Sequence, residues 1–202
     1  RRVLFRSMKE TIDYYNSHAK SYIDSTVDVE FSETQERFLG YLSPGARILD
    51  FGCGSGRDTK YFLGRGFLVD AVDGSEEFVK RAGAYTGIKV RQLLFQELDE
   101  QNRYDGIWAC SSILHLPLGE LEDVFGRMAR ALVADGILYT SFKYGTAEGM
   151  RNGRYFTDMT EEKMGHLLEK TGVFETVEMW VTSDVRPGRA DEKWLNMILR
   201  KR

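Results

Sequence analysis

Two apolar periods alternate along this chain. Ile12, Tyr15, Ala19, Tyr22 and Ile23 recur at the three-to-four-residue spacing of a helix. Phe38, Leu39 and Leu42 mark a second helix, which Ser32 and Gln35 are spaced to open as a capping box. Short apolar runs then appear at Arg47–Phe51, Phe67–Val72, Ile88–Leu93, Tyr104–Ala109 and Gly136–Phe142, the first entered through Pro44-Gly45. Helical stretches separate them, most clearly an amphipathic stripe of Leu118, Leu121, Val124, Phe125, Met128 and Leu132. Such alternation predicts an α/β fold with a doubly wound, mostly parallel sheet.

The last third reads differently. Thr160 caps a helix with Glu161 and Glu162 in its first turn, Met164, Leu167 and Leu168 on one face, and Gly172 at its end. Two further strands, Phe174–Thr182 and Lys193–Leu199, are joined through Arg186-Pro187-Gly188 and predict a C-terminal antiparallel pair closing the sheet. The connection from Phe142 to Thr157 is expected to be a short lid, mobile at Gly145, Gly149 and Gly153. Residues 1–7 precede the first helical period at Met8 and are set aside as a non-native leader, leaving a single domain over 8–202.

Candidate chemistry begins where the first strand ends. Ile48-Leu49-Asp50-Phe51-Gly52-Cys53-Gly54-Ser55-Gly56-Arg57-Asp58 runs from an apolar strand through three alternating glycines into a helix, whose unpaired N–H groups face the turn. The dinucleotide fingerprint requires Gly-x-Gly-x-x-Gly, and Arg57 stands at its third glycine. Asp50 also suits a ligand with a cationic end better than a pyrophosphate, because like charges repel. Asp73 closes the second strand, where open α/β sheets bind ligands, and can accept both hydroxyls of a ribose.

The glycine run resembles motif I of the class I S-adenosylmethionine-dependent methyltransferases, whose ligand carries a sulfonium, an ammonium and no phosphate. Ile107–His115, Gly136–Lys143 and Arg154–Thr157 look like small bacterial methyltransferases of the tellurite-resistance type. That resemblance extends from Met8 onward. It implies a Rossmann-like sheet with two N-terminal helices over the cofactor, and S-adenosylmethionine as that cofactor. Asp50, Gly52, Cys53, Gly54 and Arg57 would then surround the methionine end, with Asp73, Gly74 and Ser75 at the ribose and Ala109 and Cys110 after the fourth strand. Tyr14 and Tyr22 would cover the sulfonium by cation–π attraction, beside the plainer reading of core packing. Where the family often has an acid for the adenine amino group this chain has Leu94, so adenine recognition falls to Phe95 or Gln96.

His115, just past the fourth strand, is the candidate catalytic base for an acceptor that must lose a proton; a histidine bonded to nearby backbone is the competing reading. Lys143, Arg154 and Arg186 are candidates to attract an anionic acceptor, or ordinary solvated cations.

Composition narrows the partners. A chain of 202 residues with formal net charge −3 lacks the basic footprint of nucleic-acid binding, and no apolar run approaches the roughly 18 residues that span a bilayer. Cys53 and Cys110 are the two cysteines and form no metal-ligand spacing. The expectation is a cytoplasmic enzyme acting on a small-molecule acceptor, away from membranes. A non-catalytic S-adenosylmethionine-binding sensor and an NAD-dependent oxidoreductase are the alternatives.

Overall fold

The computed structural model describes residues 2–202, with side chains from residue 8 onward. Of the leader expected over residues 1–7, residue 1 and the side chains of 2–7 lie outside what is described, and the backbone of 2–7 forms the start of the first helix. Among the described residues there are six α-helices: α1 (Arg2–Thr26), α2 (Ser32–Leu39), α3 (Arg57–Gly64), α4 (Glu76–Thr86), α5 (Leu118–Ala131) and α6 (Glu161–Thr171). The main-sheet strands are β1 (Arg47–Phe51), β2 (Leu68–Asp73), β3 (Val90–Gln92), β4 (Tyr104–Ala109), β5 (Leu132–Lys143), β8 (Phe174–Ser183) and β9 (Lys193–Lys201). Between β5 and α6, β6 (Glu148–Arg151) and β7 (Arg154–Thr157) form a separate antiparallel hairpin.

The sheet order is β3-β2-β1-β4-β5-β9-β8, and β9 is antiparallel to both its neighbours while the other strands run parallel. Period-two alternation divides each central strand between two cores. Leu49, Ile107, Leu138 and Leu199 face one way, against α5 and α6, where Val124, Phe125 and Met164 are buried. Ile48, Trp108, Tyr139 and Ile198 face the other way and meet Phe38 and Leu39 of α2 and Phe62 of α3. Helices on both faces allow a parallel sheet to be apolar throughout. Among the described residues no helix is long and apolar enough to cross a membrane.

Local signals were mostly obeyed. Thr160 Oγ accepts the Lys163 N–H at 3.3 Å, and Gly172 ends α6 at φ 66°. The capping box on α2 does not form. Phe31 occupies the cap position without a side-chain bond, Glu30 takes the Ser32 N–H at 2.8 Å, and Gln35 turns into the core to reach Asp58. Gln35 finds a buried charged partner there, a stronger interaction than a bond at an exposed helix end. Leu132 begins β5 instead of ending α5. The expected mobile lid is instead a paired hairpin, anchored by a two-point Arg151–Asp158 ion pair.

Helix α1 lies across the carboxyl ends of the strands. It is fastened by polar contacts: Asn16 Oδ1 accepts Ser75 Oγ–H at 2.7 Å, and Thr11 Oγ1 accepts the Tyr155 N–H at 3.0 Å.

Candidate active site

A cavity opens at those strand ends, between the glycine turn, α1, the hairpin and the β8–β9 connection. Its first wall is the turn itself. Gly52 has φ +88°, and a Cβ there would stand 2.5 Å from Ser112 Cβ, so the loop after β4 seats directly on it. Gly56, at φ +81°, would meet Thr86 Cγ2 at 2.8 Å, and so permits the close packing of α4 that the dinucleotide pattern assigns to a later glycine. Gly54 instead has room for a Cβ, which would rest in ordinary contact with the Tyr22 ring edge at 3.8 Å.

Asp73 ties this turn to the next loop. One carboxylate oxygen accepts the Gly54 N–H and the other the Ser75 N–H, both at 2.9 Å. Burial pushes its carboxyl up to about 6, against the pull of these backbone donors. Ser75 also caps α4, accepting the Phe78 N–H at 3.2 Å, and Gly74 and Cys53 line the cavity beside them.

Asp50 does not reach the cavity. It lies on the same face of β1 as Ile48, beneath α3, and accepts Thr59 Oγ1–H at 2.6 Å. Burial and the neighbouring Asp58 push its carboxyl upward. The acid that the turn does present is Asp58, held by Gln35 at 2.7 Å, Trp108 Nε1 at 2.9 Å and Arg57 Nε at 2.8 Å. Burial works against the charge of Arg57, but the charge and bonds of Asp58 outweigh it and the guanidinium is held more firmly protonated. Asp58 was legible as the last residue of the glycine run, although Asp50 drew the attention.

Of the two tyrosines expected over the cofactor, Tyr22 lines the cavity and Tyr14 does not. Tyr22 and Tyr15 line the cavity with ring centres 5.4 Å apart, and each lies 5.4 Å from Phe78 of α4. Tyr14 sits a hundred degrees round α1, outside the cavity, stacked on His18 at 4.1 Å. Tyr15 belongs to the same apolar stripe as Ile12, Ala19 and Tyr22, and that periodicity was the available signal.

The remaining cofactor candidates divide. Phe95 lines the cavity and meets Phe51 edge-on at 4.9 Å, with Leu94, Gly74 and Ile12 nearby. Gln96 turns away toward Glu120 and Met8. Ala109 is buried in the sheet, whereas Cys110 faces the cavity with its thiol pushed up to about 12 by burial. Ser111 follows at φ 50°, an uncommon conformation for a non-glycine residue, fixed by its N–H bond to Ser141 Oγ at 2.9 Å.

At the opposite end stand His115, Tyr15, Lys143, Arg154, Phe156 and Arg186. Both ring nitrogens of His115 are engaged. Nδ1 lies 2.6 Å from the Tyr155 carbonyl, which can only accept, so Nδ1 carries the proton and Nε2 accepts the Tyr15 O–H at 2.7 Å. Burial brings His115 down to about 4; the Tyr155 bond opposes this, and Arg154, Lys143 and Arg151 add to it. In this arrangement the imidazole is neutral and both of its nitrogens are engaged, one by the hairpin and one by α1. Burial also raises the Tyr15 hydroxyl well above its ordinary range.

An open glycine cradle, a buried acid at the end of the adjacent strand and this sheet order define a nucleoside-binding α/β enzyme. Residues 48–136 match the protein family described as a methyltransferase domain. No curated protein gives a significant sequence match. Among solved structures, the Burkholderia thailandensis 1,6-didemethyltoxoflavin-N1-methyltransferase, with bound 1,6-didemethyltoxoflavin and S-adenosylhomocysteine, is 25% identical, with a TM-score of 0.81 over 98% of this chain and 90% of that one. Magnesium protoporphyrin IX methyltransferase from Synechocystis PCC 6803, with bound S-adenosylhomocysteine, is 21% identical at a TM-score of 0.71, over 94% of this chain and 97% of that one. The N-methyltransferase NodS from Bradyrhizobium japonicum WM9 is 18% identical at 0.70, over 92% and 97%. The last two likenesses concern the fold alone. Taken with the matched domain and the site, the comparisons make this chain an S-adenosylmethionine-dependent methyltransferase of the class I fold.

Proposed function

We propose that the cavity holds S-adenosylmethionine along the glycine turn and a small-molecule acceptor between His115, Phe156 and the β8–β9 connection. The observation that carries this reading is the pairing of the open Gly54 face with Asp73, whose two oxygens keep lone pairs beyond the bonds to Gly54 and Ser75. Those lone pairs suit ribose hydroxyls. The apolar slot of Gly74, Leu94, Phe95 and Ile12 suits an adenine without an acidic partner, and Tyr15, Tyr22 and Phe78 suit the neighbourhood of a sulfonium. The bound cofactor supplies an electrophilic methyl group.

The chain's own part is alignment and exclusion of water. α1 covers the cavity, and the Ser111–Ser141 bond fixes the loop between the two ligands. His115 acts as a positioning residue: its fixed tautomer commits the Tyr15 proton inward and turns the hydroxyl lone pairs toward Arg154. A cytoplasmic location, an acceptor other than nucleic acid and placement beside the tellurite-resistance-type group belong to the same proposal. They rest on the composition and on the segments quoted above.

Calorimetric titration with S-adenosylmethionine, S-adenosylhomocysteine and NAD tests the cofactor. Binding of the first two without NAD supports the reading; binding of NAD alone overturns it. Release of S-adenosylhomocysteine across phenols, heteroaromatic acids, thiols and amines then separates an enzyme from a sensor.

A further inference from the structure

The cations of the cavity wall are paired, with one exception among the described residues. Lys143 reaches Glu192 at 2.8 Å, Arg57 reaches Asp58 at 2.8 Å, Arg186 Nε reaches Asp184 at 2.9 Å and Arg189 lies 3.5 Å from Glu192. Arg154 has no carboxylate. Its one polar contact is the Tyr15 hydroxyl at 3.5 Å, and its Nε is shut off from solvent with no acceptor. Aromatic faces hold the guanidinium in place, with ring centres at 4.6 Å for Tyr14 and 5.1 Å for Phe156. Cation–π attraction offsets part of the desolvation cost and leaves Nε without an acceptor. The neighbouring carboxylates are already engaged: Asp184 and Glu192 serve Arg186, Trp194, Lys143 and Arg189, and Asp158 serves Arg151.

We propose that the acceptor is a small planar acid bound as its conjugate base, its delocalised negative charge taken by the unpaired Arg154 guanidinium and its plane set by Phe156 and Tyr15. A planar fork of N–H donors matches an anion whose charge is spread over two neighbouring atoms, and the rings beside it favour a flat one. The hydroxyl oxygen of Tyr15, its proton committed to His115, supplies a hydrogen-bond acceptor beside that fork for a neighbouring N–H or O–H of the ligand. An acceptor that arrives ionised has no proton to lose at its nucleophilic atom, which matches a site whose histidine has both nitrogens engaged.

The inference rests on the methyltransferase reading, and one experiment keeps the two apart. The protein is titrated first with S-adenosylhomocysteine and then, loaded, with 2,4-dinitrophenol, which is ionised at neutral pH. Its uncharged methyl ether and phenyltrimethylammonium serve as neutral and cationic comparators. Expected is binding of the phenolate ahead of both comparators, weakened about tenfold to a hundredfold in Arg154→Gln with S-adenosylhomocysteine affinity unchanged, and partly restored in Arg154→Lys. Equal phenolate affinity in Arg154→Gln, no phenolate binding by the loaded protein, or preference for either comparator overturns the proposal. Failure to bind S-adenosylhomocysteine at all overturns the cofactor assignment beneath it.

Discussion

The two ends of the cavity are built on opposite principles. At the glycine turn every acid has hydrogen-bond donors from the protein itself: Asp73 spans two backbone donors, Asp50 holds Thr59, and Asp58 gathers Gln35, Trp108 and Arg57. Around Arg154 the Tyr155 carbonyl, His115 and Tyr15 bond to one another and leave the guanidinium without a counter-ion among the described residues. A self-satisfied wall is rigid and pre-organised, so it suits a ligand that never changes. An unsatisfied one is completed by whatever carries the missing chemistry, and specificity then lies in the charge left over.

The largest expected effect would break the first wall outright. Gly52→Ala should destabilise the fold by roughly 3 kcal/mol or more, from strain at positive φ plus a Cβ driven into Ser112. Gly54→Ala, with the same kind of backbone and room for its Cβ, should cost about 1 kcal/mol in thermal melting, with its main loss in cofactor affinity. If the two melt alike, the steric account of Gly52 is wrong. Next in size, Asp73→Ala should weaken S-adenosylmethionine by about 1–3 kcal/mol in calorimetry through lost charge-assisted bonds. An unchanged affinity in the folded variant removes Asp73 from the ribose.

Acid should do the same more gently. Because the Asp73 carboxyl sits near 6, lowering the pH through that value protonates it and takes away acceptors, so cofactor affinity should fall on the acid side and recover above it. In Asp73→Asn that part of the profile should flatten. The smallest effect belongs to the far end. Tyr15→Phe removes an O–H donor that stabilises neutral His115, so the imidazole, brought down to about 4 in the parent, should titrate higher in NMR while cofactor affinity barely moves. A downward or absent change would mean that the Tyr15 proton is not directed at Nε2.

The same contrast governs what could be read before folding. The glycine wall lies within one run, residues 48–58, with Asp73 at the next strand end, so spacing alone locates it. The acceptor end is assembled from α1, the loop after β4 and β7. Tyr15 and Arg154 are 139 residues apart and their meeting is set by how the hairpin lies on α1. His115 could be named from its place after β4, yet its two bonds come from α1 and the hairpin, which no local pattern specifies. The hairpin was missed for a related reason: Glu148–Arg151 and Arg154–Thr157 are strands of four residues each, too short for periodicity to declare. Gln35 shows the converse, a correct local motif overridden by a buried partner on α3.

The single reversed strand also sets an order of assembly. β8 is hydrogen-bonded into the main sheet only through β9, which is synthesised after it and slots between β8 and β5. While the chain emerges, β5 is therefore an unpaired edge carrying Leu138, Tyr139 and Phe142, and β8 has no strand to pair with. The last nine-residue strand completes both at once, and the nascent protein remains open to mispairing with other chains until Lys193–Lys201 has left the ribosome.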